Sequence, residues 1–244
     1  ASFVSKESTY LLNFGYQGVL SIIDTLVSKN DIIVYDIASH ACIVDGVRLH
    51  LGKRFTYQHN NMKSLEKNLI RATKIAEQTG GGILVITEGV FGMRGEQGKL
   101  KEIVKLKDKY KFRFLVDDAH GFGTLGKTGA GTGEEQDVQD NIDLYFATFA
   151  KSMASTGAFI AGDLEIIEYL KYNMRSQMFA KSLQMQLVIG VIKRLEILQK
   201  NTKLKDKLWE NVTIIQKGLK DRGFDIGNTQ SCVTPVYLEG SIPE

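Results

Sequence analysis

At 244 residues, with 43% hydrophobic side chains, the chain is long enough to bury one large core and needs no disulfide staple. With 31 basic and 28 acidic residues it carries a net charge of only +3, its lysines scattered over amphipathic segments, which argues against a nucleic-acid partner. No apolar run approaches the ~20 residues of a membrane helix, no leader-like segment opens the sequence, and the two cysteines, Cys42 and Cys232, stand far apart in apolar contexts, as structural thiols in a reducing cytoplasm do.

Short β-rich runs alternate with helical periodicity, the pattern of an α/β fold with a parallel sheet and crossover helices. The spacing predicts strands over 32–35 and 54–57, with an apolar-periodic segment over 41–51 between them. A helix is expected over 62–78, where Leu65, Leu69, Ala72 and Ile75 recur at helical spacing. A strand over 83–87 and a helix over 100–110 come next, the helix carrying Ile103, Val104 and Leu106 on one side. Strands over 112–116, 144–148 and 158–161 follow. Beyond Gly162 the pattern turns helical, over 164–172, 186–199 and 203–222, and 233–238 reads as the first strand of a unit left incomplete. The expected division is a large domain over 1–180, a helical linker over 181–225 and the start of a small C-terminal domain over 226–244, with both ends reading as cut.

The segment from Gly121 to Thr128 satisfies both G-x-G-x-x-G and G-x-x-x-x-G-K-[ST]. Those loops work only when a strand feeds the glycines directly and a helix opens behind them. Here Asp117-Asp118-Ala119-His120 intervene, and Gly129-Ala130-Gly131-Thr132-Gly133 follows, at a helix cost of about 1 kcal/mol per glycine. Two carboxylates ahead of the loop would also repel a polyphosphate. A nucleotide-binding module is the disfavoured reading.

Three other segments carry chemistry. Val116-Asp117-Asp118-Ala119-His120 ends an apolar strand, where open α/β sheets bind ligands; an acid there can face a protonated ring nitrogen, although a surface turn with a capping Asp would look the same. Ala147-Thr148-Phe149-Ala150-Lys151-Ser152 follows another apolar strand. An enclosed lysine loses hydration and becomes nucleophilic toward an aldehyde, and Thr148 and Ser152 suit a phosphate; an exposed loop lysine is the alternative. Ser39-His40-Ala41 stands at a strand-to-helix junction, where a His either caps the helix or stacks on a planar ligand. An acid, an amine, a flat imidazole and a hydroxyl-rich loop at neighbouring strand ends are what pyridoxal phosphate requires. No residue is assigned to a metal.

The sequence resembles the α-oxoamine synthases, fold-type-I pyridoxal-phosphate enzymes that condense an amino acid with an acyl-CoA and lose CO₂. The resemblance covers nearly the whole chain. It rests on Asp36 to Gly46, on Thr87-Glu88-Gly89-Val90-Phe91-Gly92-Met93-Arg94-Gly95, on Val116–His120, on Thr148–Lys151 and on Asn13-Phe14-Gly15-Tyr16-Gln17. It implies the large domain of the type-I fold, with a mostly parallel central sheet flanked by helices. It also implies that Lys151 forms the Schiff base and moves the α-proton, and that Asp117 pairs with the pyridine nitrogen. His120 would bond the phenolic oxygen, and His40 would stack on the ring near the substrate carboxylate. Thr148 and the backbone amides of Gly15 and Tyr16 would bind phosphate. Three positions depart from the family pattern: Gly92 stands for a common Ser, Phe14 for a small hydroxyl residue and Ala180 for a Ser offered to a neighbouring subunit. The family's N-terminal segment and its C-terminal domain, with the arginine that grips the substrate carboxylate, are not in this sequence, so the piece is expected to hold cofactor yet fall short of catalysis.

Asn173 to Phe179 and the stretch from Lys207 to Asp225 resemble the bacterial serine palmitoyltransferases. That likeness implies an acyltransferase making 3-ketosphinganine, CO₂ and CoA from L-serine and palmitoyl-CoA, the first step of sphingolipid synthesis. It further implies a cytoplasmic homodimer, with peripheral membrane contact compatible with a lipid product. Glycine C-acetyltransferase and 8-amino-7-oxononanoate synthase are the sibling readings. A non-catalytic regulatory subunit is the reading from another class, and Lys151 speaks against it.

Overall fold

The computed structural model describes residues 1–201 and 203–238. A 3-10 turn, Ser2–Val4, leads into strand β1 (Ser8–Leu12), helix α1 (Gly15–Leu26), β2 (Ile32–Asp36), α2 (Ala41–Leu49), β3 (Lys53–Tyr57) and α3 (Met62–Thr79). Next come β4 (Ile83–Glu88), α4 (Leu100–Lys107), β5 (Arg113–Asp117), the short α5 (Thr132–Glu135), β6 (Leu144–Thr148) and β7 (Ala158–Gly162). Helices α6 (Leu164–Asn173), α7 (Arg175–Met178), α8 (Met185–Lys200) and α9 (Lys203–Lys220) close the described chain. The strands form one sheet in the order β1-β7-β6-β5-β4-β2-β3. Strands β3, β2, β4, β5 and β6 run parallel; β7 is antiparallel to both β6 and β1.

Strand residues alternate between two cores. Val34, Val85, Phe114, Val116 and Tyr145 point to one face, packed under Leu65 and Leu69 of α3 and Ile103 of α4. Ile33, Ile86, Leu115, Phe146 and Ile160 point to the other, packed under Val19, Ile22 and Ile23 of α1, Ile43 and Val47 of α2, and Leu170 of α6. Each fully buried Ile, Leu or Phe contributes about 1.5–3 kcal/mol, so the two-sided sheet is the main source of stability. Helix α3 is also closed at both ends by local chemistry. The Asn61 side chain accepts the Ser64 N–H at 3.0 Å, and Gly80 takes the left-handed conformation, φ 68°, that terminates the helix.

The parallel strands 2 to 6 fall where the apolar runs predict. Two longer elements escape sequence reading, besides the short α5 and α7. Strand β1 alternates half-buried and exposed residues at the sheet edge, and is ordered by pairing with β7. Helix α1 contains Gly15, Gly18 and four β-branched residues, a poor helix former by propensity; packing of Val19, Ile22 and Ile23 overrides it. The strand expected over 233–238 is absent. Among the described residues an isolated bridge between Asp225 and Tyr237 stands in its place. The rest of the expected C-terminal unit, 239–244, lies outside the described residues.

The glycine-rich loop after β5 is no phosphate loop. Residues 119–130 form turns with Gly123, Gly126 and Gly129 at positive φ, and only the four-residue α5 follows. Asp118 ties the loop down: Thr132 N–H and Thr132 Oγ1 each donate to it at 2.7 Å, and Tyr145 O–H at 2.9 Å. Burial lifts its carboxyl to about 7 against those bonds. Asp118→Ala should cost about 2–4 kcal/mol in urea unfolding of the cofactor-free chain, since buried donors left unpaired cost about 1–3 kcal/mol each; a loss below 0.5 kcal/mol, roughly a surface value, would refute the anchoring role.

Candidate active site

The C-terminal ends of β2, β4, β5 and β6 open on one rim, and the site is built there. After β2, buried Asp36 organises the turn that carries His40. It accepts Ala38 N–H at 2.8 Å and Asn60 N–H at 2.9 Å, and it bonds His59 Nδ1 at 3.0 Å. The other nitrogen of His59 meets Glu96 Oε2 at 2.8 Å. Burial opposes protonation of His59, but the two carboxylates outweigh it and raise its pKa.

His40 then caps α2. Its Nδ1 accepts Cys42 N–H at 3.2 Å, with Cys42 Sγ 3.0 Å away. With Nδ1 committed as an acceptor, the neutral ring keeps its proton on Nε2. Tyr16 packs its edge against the imidazole, centroids 6.1 Å apart, and its hydroxyl bonds Asp45.

Asp117 ends β5 and is buried. It accepts Ala119 N–H at 3.1 Å, and Cys42 Sγ lies 3.8 Å from its second oxygen. Burial raises its pKa, opposed first by the Ala119 N–H and then by Lys151. His120, past the bend, is held neutral near 4 by burial and by Lys151 and His40. Its Nε2 lies 2.5 Å from where a Cβ on residue 92 would stand, so the departure to Gly92 makes room for this ring.

Lys151 follows β6. It stands exposed at the rim, not enclosed as the sequence reading expected. Thr148 is buried, and its hydroxyl already donates to Gly157 O at 3.0 Å while accepting Ala150 N–H at 3.2 Å. Ser152, the second hydroxyl named for phosphate, faces Gly123 in a neighbouring cleft. The phosphate donors left are those at the start of α1. Phe14 caps that helix without a side-chain bond, so its first N–H groups are unpaired within the helix. Gly15 is needed at this point: an added Cβ would lie 3.1 Å from Thr148 Oγ1. Phe14 itself is exposed, as is Ala180.

Lys151, Asp117, His40, His120, Thr148, Gly15 and Tyr16 all line one cavity of about 190 Å³. The donor set fits pyridoxal phosphate: an uncapped helix start for phosphate, a buried acid for a ring nitrogen, two imidazoles and an amine. Sequence reasoning overlooked two ionisable residues of the lining, Glu88 and Cys42. Glu88 was legible as a charge closing a run of apolar strand residues; Cys42 was read only as a structural thiol.

The family described as aminotransferase class I and II matches residues 1–238. A cysteate-C-fatty acyltransferase of Capnocytophaga ochracea is 70% identical over all 244 residues of this chain and 58% of its own length. A serine palmitoyltransferase of Sphingobacterium spiritivorum is 38% identical over 99% of this chain and 59% of its own. Among solved structures, a serine palmitoyltransferase of S. paucimobilis with a bound PLP-myriocin aldimine superposes with a TM-score of 0.91. It is 30% identical and is matched over 98% of this chain and 61% of that one. The chain thus spans about three-fifths of the length of the relatives it matches.

Proposed function

The chain belongs to the aminotransferase class I and II family and, within it, to the α-oxoamine synthases, and from that premise we infer that it forms the cofactor-binding part of an acyltransferase that joins an amino acid to a fatty acyl thioester with loss of CO₂. Its cofactor is pyridoxal phosphate. The observation that carries the reading is the convergence of Lys151, Asp117, His40 and His120, from three separate strand ends, on one small cavity beside an uncapped helix start. We place residues 1–180 in the cofactor domain, 181–225 in a helical linker and 226 onward at the start of a further unit.

When bound, pyridoxal phosphate supplies an electron sink for bonds broken at the amino acid's α-carbon. The protein's part is binding and proton handling. The amides at Gly15 and Tyr16 take the phosphate at the positive end of α1. Asp117 holds a proton on the ring nitrogen, and neutral His120 serves the phenolic oxygen. His40 would cover the ring face, with its Nε2 turned to bond a substrate carboxylate. Lys151 Nζ would hold the cofactor at its aldehyde carbon and would serve to move the α-proton; at the exposed rim its amine is reachable by an incoming amino acid.

A second cleft of about 480 Å³ shares His120 and Lys151 with the cavity, and Met153, Ile197, Leu198, Leu204 and Leu208 line it. That size and lining suit a small-molecule site with an apolar ligand, which supports a long acyl group. For the amino acid, the 70% relative favours cysteate over the serine expected from sequence. We propose a homodimer as the working assembly. Among the described residues no helix is long and apolar enough to cross a membrane. In the full-length protein, release of CoA from palmitoyl-CoA should be at least about tenfold faster, in kcat/KM, with L-cysteate than with L-serine, glycine or L-alanine, a difference of about 1.4 kcal/mol. Equal rates with serine would overturn the cysteate preference, and no CoA release with any amino acid would overturn the acyltransferase reading.

A further inference from the structure

Glu88 and Asp117 close neighbouring parallel strands and stand directly opposite each other in register. Both are buried, at 4% and 6% exposure. Neighbouring strands lie ~4.8 Å apart, and two like charges at that spacing in a buried rim cannot both persist without a cation. Among the described residues no lysine or arginine pairs with either acid. Glu88 is held instead by a neutral donor, the His40 N–H at 2.5 Å. It therefore ties the His40 turn to the end of β4. The ionisable groups facing the pair are Lys151, His40 and Cys42. Burial and the neighbouring Asp117 lift Glu88 to about 8. Burial raises Asp117 as well, and the Ala119 N–H, Lys151, His40 and the Cys42 thiol work against that and favour its negative charge.

We propose that Glu88 carries the one proton shared by this carboxyl pair and acts as a positioning residue: neutral, it holds the His40 backbone in place and leaves a single negative charge on Asp117 for the cofactor ring. The inference rests on the pyridoxal-phosphate reading for its consequence, and on the register of β4 and β5 for its cause. A protonated Glu is mimicked by Gln, so Glu88→Gln should bind pyridoxal phosphate within about threefold of the parent. Glu88→Ala, which leaves the His40 N–H without its acceptor, should bind at least about tenfold more weakly.

The readout independent of cofactor is infrared spectroscopy of the cofactor-free chain with ¹³C-labelled glutamate at pH 7. A protonated-carboxyl band from one Glu should be present and should vanish in Glu88→Gln. An ionised label with no such band, or a Gln variant as damaged as the Ala variant, would overturn the proposal. If the parent chain binds no pyridoxal phosphate at all, the cofactor reading fails, and the infrared band alone decides the proton's location.

Discussion

Lys151→Ala is expected to lower kcat/KM of the full-length protein by about four orders of magnitude or more, the largest effect of any single substitution. Removal of a group that bonds the reacting species typically costs that much, because no neighbour can supply the same bond. Among the described residues only Lys151 brings a side-chain amine to the cavity lining. The same variant should lose the visible absorption of the lysine-bound cofactor while still holding pyridoxal phosphate through the start of α1 and Asp117. Exposure of Lys151 at the rim means that its loss opens no cavity in the core, so unfolding free energy should shift by less than about 0.5 kcal/mol. Turnover within tenfold of the parent would show that another group does this work.

Asp117→Asn is expected to reduce kcat by about two to four orders of magnitude, with cofactor affinity weakened less than tenfold. The side chain keeps its shape and still accepts the Ala119 N–H, but it can no longer hold a proton on a ring nitrogen by charge. That charge matters only as electrons move into the ring, so its loss falls mainly on kcat and not on binding. Glu88 does not substitute, because it sits one strand away and is tied to the His40 amide. Near-normal turnover in Asp117→Asn would contradict the nitrogen assignment.

Much of the scaffold was readable because the central parallel strands are apolar on both faces. Ile83–Glu88 and Leu144–Thr148 are buried at every position, and such runs stand out in any sequence. Strand β1 and helix α1 did not stand out, since their order comes from pairing with β7 and from packing under the sheet. The acid, the amine and the imidazoles at 117, 151, 40 and 120 were legible because each follows such a strand. Which hydroxyls remain free could not be read. Thr148 spends its proton on Gly157 O, and Ser152 turns to a different cleft; both facts depend on the path of the loop after β6. Glu88 was passed over because its meaning lies in the register of β4 against β5, which is a tertiary fact.

The measurement that bears most directly on the whole account is borohydride reduction of the protein loaded with pyridoxal phosphate, followed by peptide mapping by mass spectrometry. The geometry of the rim predicts a single phosphopyridoxyl label, on the peptide that carries Lys151. A label on any other of the chain's lysines, or no label at saturating cofactor, would contradict it.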